Sequence, residues 1–416
     1  MPLLIDLGTA LYHAGINLAA PFVPKARAWV DGRRGLWARL EAKADALQGC
    51  VWIHCASVGE FEQARPVLET LQRERPGLPV LITFFSPSGY EARKDLPNVT
   101  HVEYLPADSK RHAERLLALL KPRMAVFIKY EFWYHHLNAL HRAQVPTFIA
   151  SAIFRPAQPF FRWYGGAYRR MLRFYDHLFV QNEASRALLA SVGIHNVTVS
   201  GDTRFDRVAA ITKQNEELPI ARSFRNASDV PILVAGSTWP ADEAIIQQAL
   251  QVLPGSRAIL VPHELTAAHL TALKAGSPAP VAFWSQGDPA PDTSTLIMDR
   301  MGYLSRLYKY ADVTYVGGGF GSGIHNTLEA AAWGRPVIFG PNYARFAEAH
   351  GLIAAGAGFT VKNTGELRAL LERFFTTPEV LRTASEAAAR YVREREGAAA
   401  IVSKVLLTKL RSTSFP

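Results

Sequence analysis

Cysteine is almost missing from this 416-residue chain: only Cys50 and Cys55 occur, flanking one apolar stretch. That excludes a disulfide framework and a cysteine metal quartet, and it favours a reducing compartment. Basic tracts are missing too. The 46 Lys and Arg against 36 Asp and Glu give a net charge of +10, yet they are scattered and no nucleic-acid motif accompanies them. No nucleic acid is therefore expected, and the surplus points to acidic small molecules or an acidic lipid surface. Hydrophobic residues at 49% and charged residues at 20% exclude a disordered chain. No small-residue cleavage site follows a charged leader, so no cleavable signal is expected.

A clean membrane-spanning run is also lacking, because Asp6, His13 and Asn17 interrupt the apolar residues 2–23. On a helix these three share one side, and Leu4, Leu7, Leu11, Leu18 and Phe22 run down the other. Lys25, Arg27, Arg33, Arg34, Arg39 and Lys43 follow. A spanning helix needs about 20 predominantly apolar residues. The pattern suits better an amphipathic helix lying in an anionic membrane surface, with the main body on the cytoplasmic side. The alternative is an N-terminal helix packed on the protein's own core.

What is present is alternation. Apolar runs at Val51–Ala56, Pro79–Phe85, Val99–Leu105, Met124–Lys129, Pro146–Ala150, His177–Gln181 and Val197–Gly201 read as strands with helices between them. After a polar stretch the plan restarts at Pro231–Ala235, Arg257–Val261, Val281–Trp284, Thr295–Asp299, Val313–Val316, Pro336–Gly340 and Phe359–Val361. Such a pattern predicts two doubly wound α/β domains whose ligands sit beyond the carboxyl ends of parallel strands. The expected boundaries are a membrane-associating segment 1–40, a first domain 41–205, a linker 206–230, a second domain 231–395 and a C-terminal helix 396–416.

Two strand ends stand out. The first runs into Ser57-Val58-Gly59-Glu60, with a helix expected from Phe61; Glu60 is there either a functional acid or an ordinary first-turn carboxylate. The second is the strand Val313–Val316, followed by Gly317, Gly318, Gly319, Gly321 and Gly323, then Asn326 and a short helix Thr327–Trp333. Glycines permit close backbone approach, so backbone N–H groups and a helix N-terminus are expected to face one anion. Glu329, three residues past Asn326, is placed to bind ribose hydroxyls or to close a capping box with Asn326.

The blocks HCASVGE (54–60), KYEFW (129–133), SGDTRFD (200–206), AGSTWPADE (235–243), VPHE (261–264), MGYLSRLYKYADVTYVGGGF (301–320), HNTLEAAAWGRPVIFGP (325–341) and NYARFAEA (342–349) occur in an order and spacing that resembles one known family. These are the 3-deoxy-D-manno-octulosonic acid (Kdo) transferases, glycosyltransferases of the GT-B fold, and the resemblance covers nearly the whole chain. It implies two Rossmann-like domains facing across a cleft. It also implies transfer of Kdo from CMP-Kdo to a lipid A precursor, at the cytoplasmic face of the bacterial inner membrane, with inversion and without a metal or cofactor. No two aspartates are separated by a single residue, so an Asp-x-Asp metal site is not expected.

Carried over by position, Glu60 matches the general base, and Glu131 and Arg204 match groups that support the transition state. Substrate contacts are expected from Ser57 and Gly59 in the first half. In the second half they fall on Gly236, Ser237, Thr238, Pro262, His263, Met301, Gly302, Tyr303, Gly318, Gly319, Asn326, Thr327, Leu328 and Glu329. The chain departs from the common pattern at His263-Glu264-Leu265, where an arginine usually precedes the histidine, and at Tyr303, Trp239 and Arg204. The competing readings are another GT-B enzyme using a UDP-sugar, such as an epimerase or hexosaminyltransferase, and a non-catalytic membrane-associated nucleotide-binding protein.

Overall fold

The computed structural model describes residues 2–253 and 255–412, with side chains from residue 6 onward. The chain divides into two compact units, 1–207 with 397–416, and 208–396. Each is built on a seven-stranded, wholly parallel sheet.

In the first unit the strands are β1 (Val51–Cys55), β2 (Val80–Phe84), β3 (His101–Tyr104), β4 (Met124–Ile128), β5 (Thr147–Ala152), β6 (His177–Val180) and β7 (Val197–Val199). Their order is β3-β2-β1-β4-β5-β6-β7. β1, β2 and β4 are buried at every position, as strands covered by helices on both faces must be. Side-chain alternation divides them: Trp52 and Phe127 join one core, and Val51, Ile53 and Val126 join the other. The chain leaves β1 towards β2 and returns on the other side at β4, so the connections diverge and open a crevice at the carboxyl ends of β1 and β4.

The second unit repeats the plan with β8 (Ile232–Thr238), β9 (Arg257–Pro262), β10 (Val281–Phe283), β11 (Thr295–Ile297), β12 (Val313–Val316), β13 (Val337–Phe339) and β14 (Gly358–Thr360). The order β10-β11-β9-β8-β12-β13-β14 puts its switch point between β8 and β12.

Three expectations about organisation change. Residues 206–230, expected as a linker, are helical in large part: they hold most of the helix Arg204–Gln214 and all of Pro219–Asn226, and Ala221 and Phe224 are fully buried. The C-terminal helix Ala398–Ser412 is a working part of the first unit, since Val402, Leu406 and Leu410 join the core of Ile53, Phe61 and Val80. The helix after β1 starts at Val58 rather than Phe61, with Ser57 as its cap.

The N-terminal helix α1 (Pro2–Ala19) is followed by α2 (Pro24–Arg33). It meets the protein through Asp6, Tyr12 and His13, while Asn17 of the polar side is exposed. Asp6 pairs with His135 at 2.7 Å, and His13 and Tyr12 lie edge-on to the Trp29 ring at 5.1 and 6.3 Å. The leucine side faces out, with Leu7, Leu11, Leu18 and Phe22 56, 64, 76 and 84% exposed; Leu4 lies outside the described side chains. An ordinary surface helix does the reverse. Among the described residues no helix is long and apolar enough to cross a membrane.

Leu406→Ala should remove about 2–5 kcal/mol from the first unit by opening a cavity in that core. Urea denaturation followed by hydrogen exchange should show the loss in the β1–β7 sheet and little change in the β8–β14 sheet.

Candidate active site

In the first unit the expected residues gather at the β1/β4 switch point. Ser57 Oγ accepts from the N–H of Gly59 at 3.2 Å and its hydroxyl donates to Glu60 Oε2. Both contacts follow from a serine N-cap with an acid in the first turn. Glu60 still keeps 17% of its side chain exposed, so the carboxylate is reachable. Its other oxygen, Oε1, lies 3.9 Å from Lys129 Nζ. Lys129 follows β4 with φ +72°, a left-handed conformation that costs an ordinary side chain about 1–2 kcal/mol. The block KYEFW carried that lysine in view, but its backbone conformation and its carboxylate partner are tertiary facts. Tyr130 follows, and burial raises its pKa against the pull of Arg155; Glu60, Arg204 and Asp202 also act on it.

Glu131 lies deeper than its expected role suggests. The residue is 5% exposed, and Oε2 is taken by His54 Nε2 at 3.0 Å and the Trp133 indole N–H at 2.5 Å. His54 is held through Nδ1 by Thr83 Oγ1 at 2.9 Å, and Thr83 also accepts from the Trp52 indole at 2.8 Å. This polar chain runs through the buried centre of the sheet, and the sequence reading missed His54's part in it. Arg204 is bound to Asp202 through Nε at 2.9 Å and Nη2 at 2.8 Å. Burial alone would raise the Asp202 pKa, but Arg204 and the Gln63 amide at 3.0 Å outweigh it and hold the carboxyl below its usual value.

In the second unit several N–H groups of the glycine run are taken up within the protein. The N–H of Gly317 donates to Gly236, that of Gly318 to the Asp242 carboxylate at 2.9 Å, those of Gly321 and Gly323 to Gly318, and that of His325 to Gly317. The glycines serve backbone-to-backbone packing. A Cβ on Gly317 would lie 2.3 Å from the Ser237 carbonyl, and one on Gly319 would lie 2.6 Å from Gly340 backbone atoms. Asp242, buried and absent from the expected list, is the clamp: it also accepts from the N–H of Trp239 at 3.0 Å and from Tyr315 Oη at 2.9 Å.

Several other expected contacts turn inward. Gly236 faces Tyr308 and Leu304, Thr238 is fully buried and donates to Glu243, and Pro262 and Leu328 are core residues. Thr327 is also fully buried. The Asn326 side-chain amide donates to Glu329 Oε1 at 3.0 Å, and Asn326 Oδ1 accepts from the N–H of Leu328 at 3.1 Å, but the helix is capped at Thr327 and the two do not form the expected capping box. The helix there is only Leu328–Ala332.

What stays accessible at these strand ends is Ser237, His263, Met301, Gly302, Tyr303, Asn326 and Glu329, and a stack of rings that the sequence did not foretell. His263 lies between Trp239, 4.7 Å away at 27°, and His325, 4.6 Å away at 28°. Burial and the neighbouring His263 lower the His325 pKa, with Asp242 opposing them. A neutral His325 then accepts from the Trp239 indole N–H at 3.2 Å through Nε2. The three rings come from the ends of β8 and β9 and from the loop after β12, so no local pattern could have joined them.

Two parallel-sheet Rossmann-like units with reachable polar groups at their switch points define a GT-B-like fold. Solved structures of the same fold include a UDP-GlcNAc 2-epimerase from Neisseria meningitidis, with TM-score 0.58 and 16% identity, covering 87% of this chain and 100% of that one. Acinetobacter baumannii MurG is another, with TM-score 0.56 and 14% identity, covering 86% and 99%. Residues 30–207 match the family model described as 3-deoxy-D-manno-octulosonic-acid transferase. Relatives bearing the name 3-deoxy-D-manno-octulosonic acid transferase include one from Bordetella pertussis, 28% identical over 94% of this chain and 97% of its own. One from Aquifex aeolicus is 27% identical over 77% and 84%. Residues 30–207 thus carry a Kdo transferase domain, and relatives of that name align over most of the chain.

Gly317→Ala should cost about 1–3 kcal/mol or more, because two strand ends must part to admit the methyl group. Gly321→Ala, whose Cβ would meet nothing nearer than 3.7 Å, should leave the thermal midpoint nearly unchanged. Melting curves of the two variants check the pair.

Proposed function

We propose that the protein transfers Kdo from CMP-Kdo to an acidic lipid A precursor of the lipid IVA type, at the cytoplasmic face of the inner membrane. The first unit activates the acceptor alcohol and the second holds the donor. The observation that carries this reading is Glu60: a reachable carboxylate at a switch point, oriented by Ser57 and flanked by Lys129, inside the segment matched by the family. Glu60 takes the proton of a primary alcohol as its oxygen attacks the anomeric carbon of Kdo. The bond from that carbon to the phosphate oxygen breaks, and CMP leaves with its electron pair, inverting the centre. CMP is already an acceptable leaving group, so activating the alcohol is the main proton-transfer demand.

Glu131 and Arg204 then act by position: the first braces the turn after β4 through His54 and Trp133, and the second keeps Asp202 ionised beside Tyr130. Lys129 offsets the charge of Glu60 and of an incoming anionic acceptor. In the second unit, Ser237, His263, Tyr303 and the Asn326–Glu329 turn are the groups proposed to meet the cytidylate. The outward leucine side of α1 and the basic residues of α2 support association with an anionic membrane surface.

Glu60→Gln should lower turnover about 100- to 10,000-fold while CMP-Kdo still binds. Transfer at the parent rate would remove Glu60 from the role of base. Calorimetric titration should favour CMP over UDP; the opposite order would favour a UDP-sugar enzyme of the same fold. Deleting residues 2–23 should leave CMP binding intact and weaken transfer to a lipid acceptor in micelles, and equal rates with and without the segment would refute its membrane role.

A further inference from the structure

Beneath α1 the first unit holds a cavity of about 370 Å³. Gly8, Thr9 and Tyr12 form one side, and Trp29, Phe85 and Trp133 close the others. The exposed lining is mostly apolar, with His13 and Asp108 among its polar members. Burial lowers the His13 pKa, as does nearby Arg33, so the ring is neutral at pH 7. Burial raises that of Tyr12. Asp108 Oδ1 accepts the N–H groups of His135 and His136, at 2.9 and 3.1 Å. A space of this size falls in the roughly 300–1,000 Å³ range of small-molecule sites.

The cavity has two distinct neighbours. Trp133, which forms part of the wall, donates its indole N–H to Glu131, so the cavity adjoins the polar chain behind the candidate base. α2 supplies the other, since Trp29 is flanked in sequence by Lys25, Arg27, Arg33 and Arg34. The Arg33 guanidinium lies 3.8 Å over the Trp29 ring and donates to the Phe85 carbonyl at 2.8 Å. An apolar slot beside fixed cations, opening from the catalytic side of the sheet, suits an anionic amphiphile and not a wholly polar sugar.

From this geometry we propose that the cavity under α1 receives one acyl chain of the acceptor, and that it measures that chain while its head group is presented to Glu60. The proposal rests on the lipid acceptor named above. It adds a specific slot: α1 would have two apolar duties, its outer leucines towards the membrane and its Gly8–Tyr12 edge towards a single chain.

Gly8 provides the test, because a Cβ there meets nothing within 4 Å and replacing a helical glycine with a bulkier residue does not weaken the helix. The probe is a twelve-carbon fatty acid carrying a terminal diazirine. Photolabelling should fall on peptides holding Trp29, Phe85 or Trp133, and should drop about tenfold in Gly8→Trp. Ala107→Leu, from the opposite wall, should reduce it as well. Labelling unchanged in both variants, or confined to Leu7, Leu11 and Leu18, would overturn the slot and leave a helix that merely lies on lipid.

A kinetic arm separates this proposal from the function it rests on. On a tetra-acylated disaccharide acceptor, Gly8→Trp should raise KM about tenfold with kcat little changed, and on the fully deacylated disaccharide KM should not move. Equal rises on both acceptors would overturn the slot. If the parent protein transfers Kdo to neither acceptor, the acceptor assignment fails, and the photolabelling alone decides whether the cavity holds a chain.

Discussion

Every hydrogen-bonded strand pair in both sheets is parallel, and this one constraint positions everything else. Parallel strands need crossover helices on both faces, which leaves only the strand ends free to carry polar chemistry. Within each sheet the direction of winding reverses once, at β1/β4 and at β8/β12, and neighbouring connections diverge there. Glu60, Lys129 and Glu131 follow β1 and β4; Trp239, Asp242 and the glycine run follow β8 and β12. The chemistry sits where the topology leaves room for it.

The two switch points are held open by different means. In the first unit the support is a buried polar chain, Trp52–Thr83–His54–Glu131–Trp133, whose members satisfy one another inside the sheet. Buried polar groups need partners, so such a chain has few alternative arrangements, and that rigidity keeps the turn after β4 aimed at Glu60. In the second unit the support is contact between backbones. Gly317 lies against Ser237 and Gly319 against Gly340, with Asp242 tying the loop to the start of the next helix. Side chains are excluded from these contacts, which leaves the ring stack of Trp239, His263 and His325 as the outer surface.

The N-terminal segment obeys a different rule from the rest of the molecule. Elsewhere most apolar side chains go inward, with single exceptions such as Trp163 and Met301, whereas α1 turns a row of leucines out and meets the protein through Asp6, Tyr12 and His13. Such an arrangement is costly in water and favourable at a lipid interface. It also explains how a cavity persists beneath the helix: the face that would have filled it with leucine side chains points the other way.

Sequence alone determined the element order, because the apolar runs of all fourteen strands and the turns between them are local signals with a physical cause. It also placed Ser57, Glu60, Glu131 and the second-unit residues at strand ends, by spacing and by likeness to a family. Tertiary structure decided which strand ends are neighbours, and therefore that Lys129 meets Glu60 and that His263 lies between Trp239 and His325. It also decided what the glycines are for. A run of glycines permits close approach to a ligand or to another strand equally well, and only the position of Ser237 and Gly340 selects the second. Likewise the pattern of residues 2–23 showed two faces, and only the packing of Trp29 and His135 determined which one turns outward.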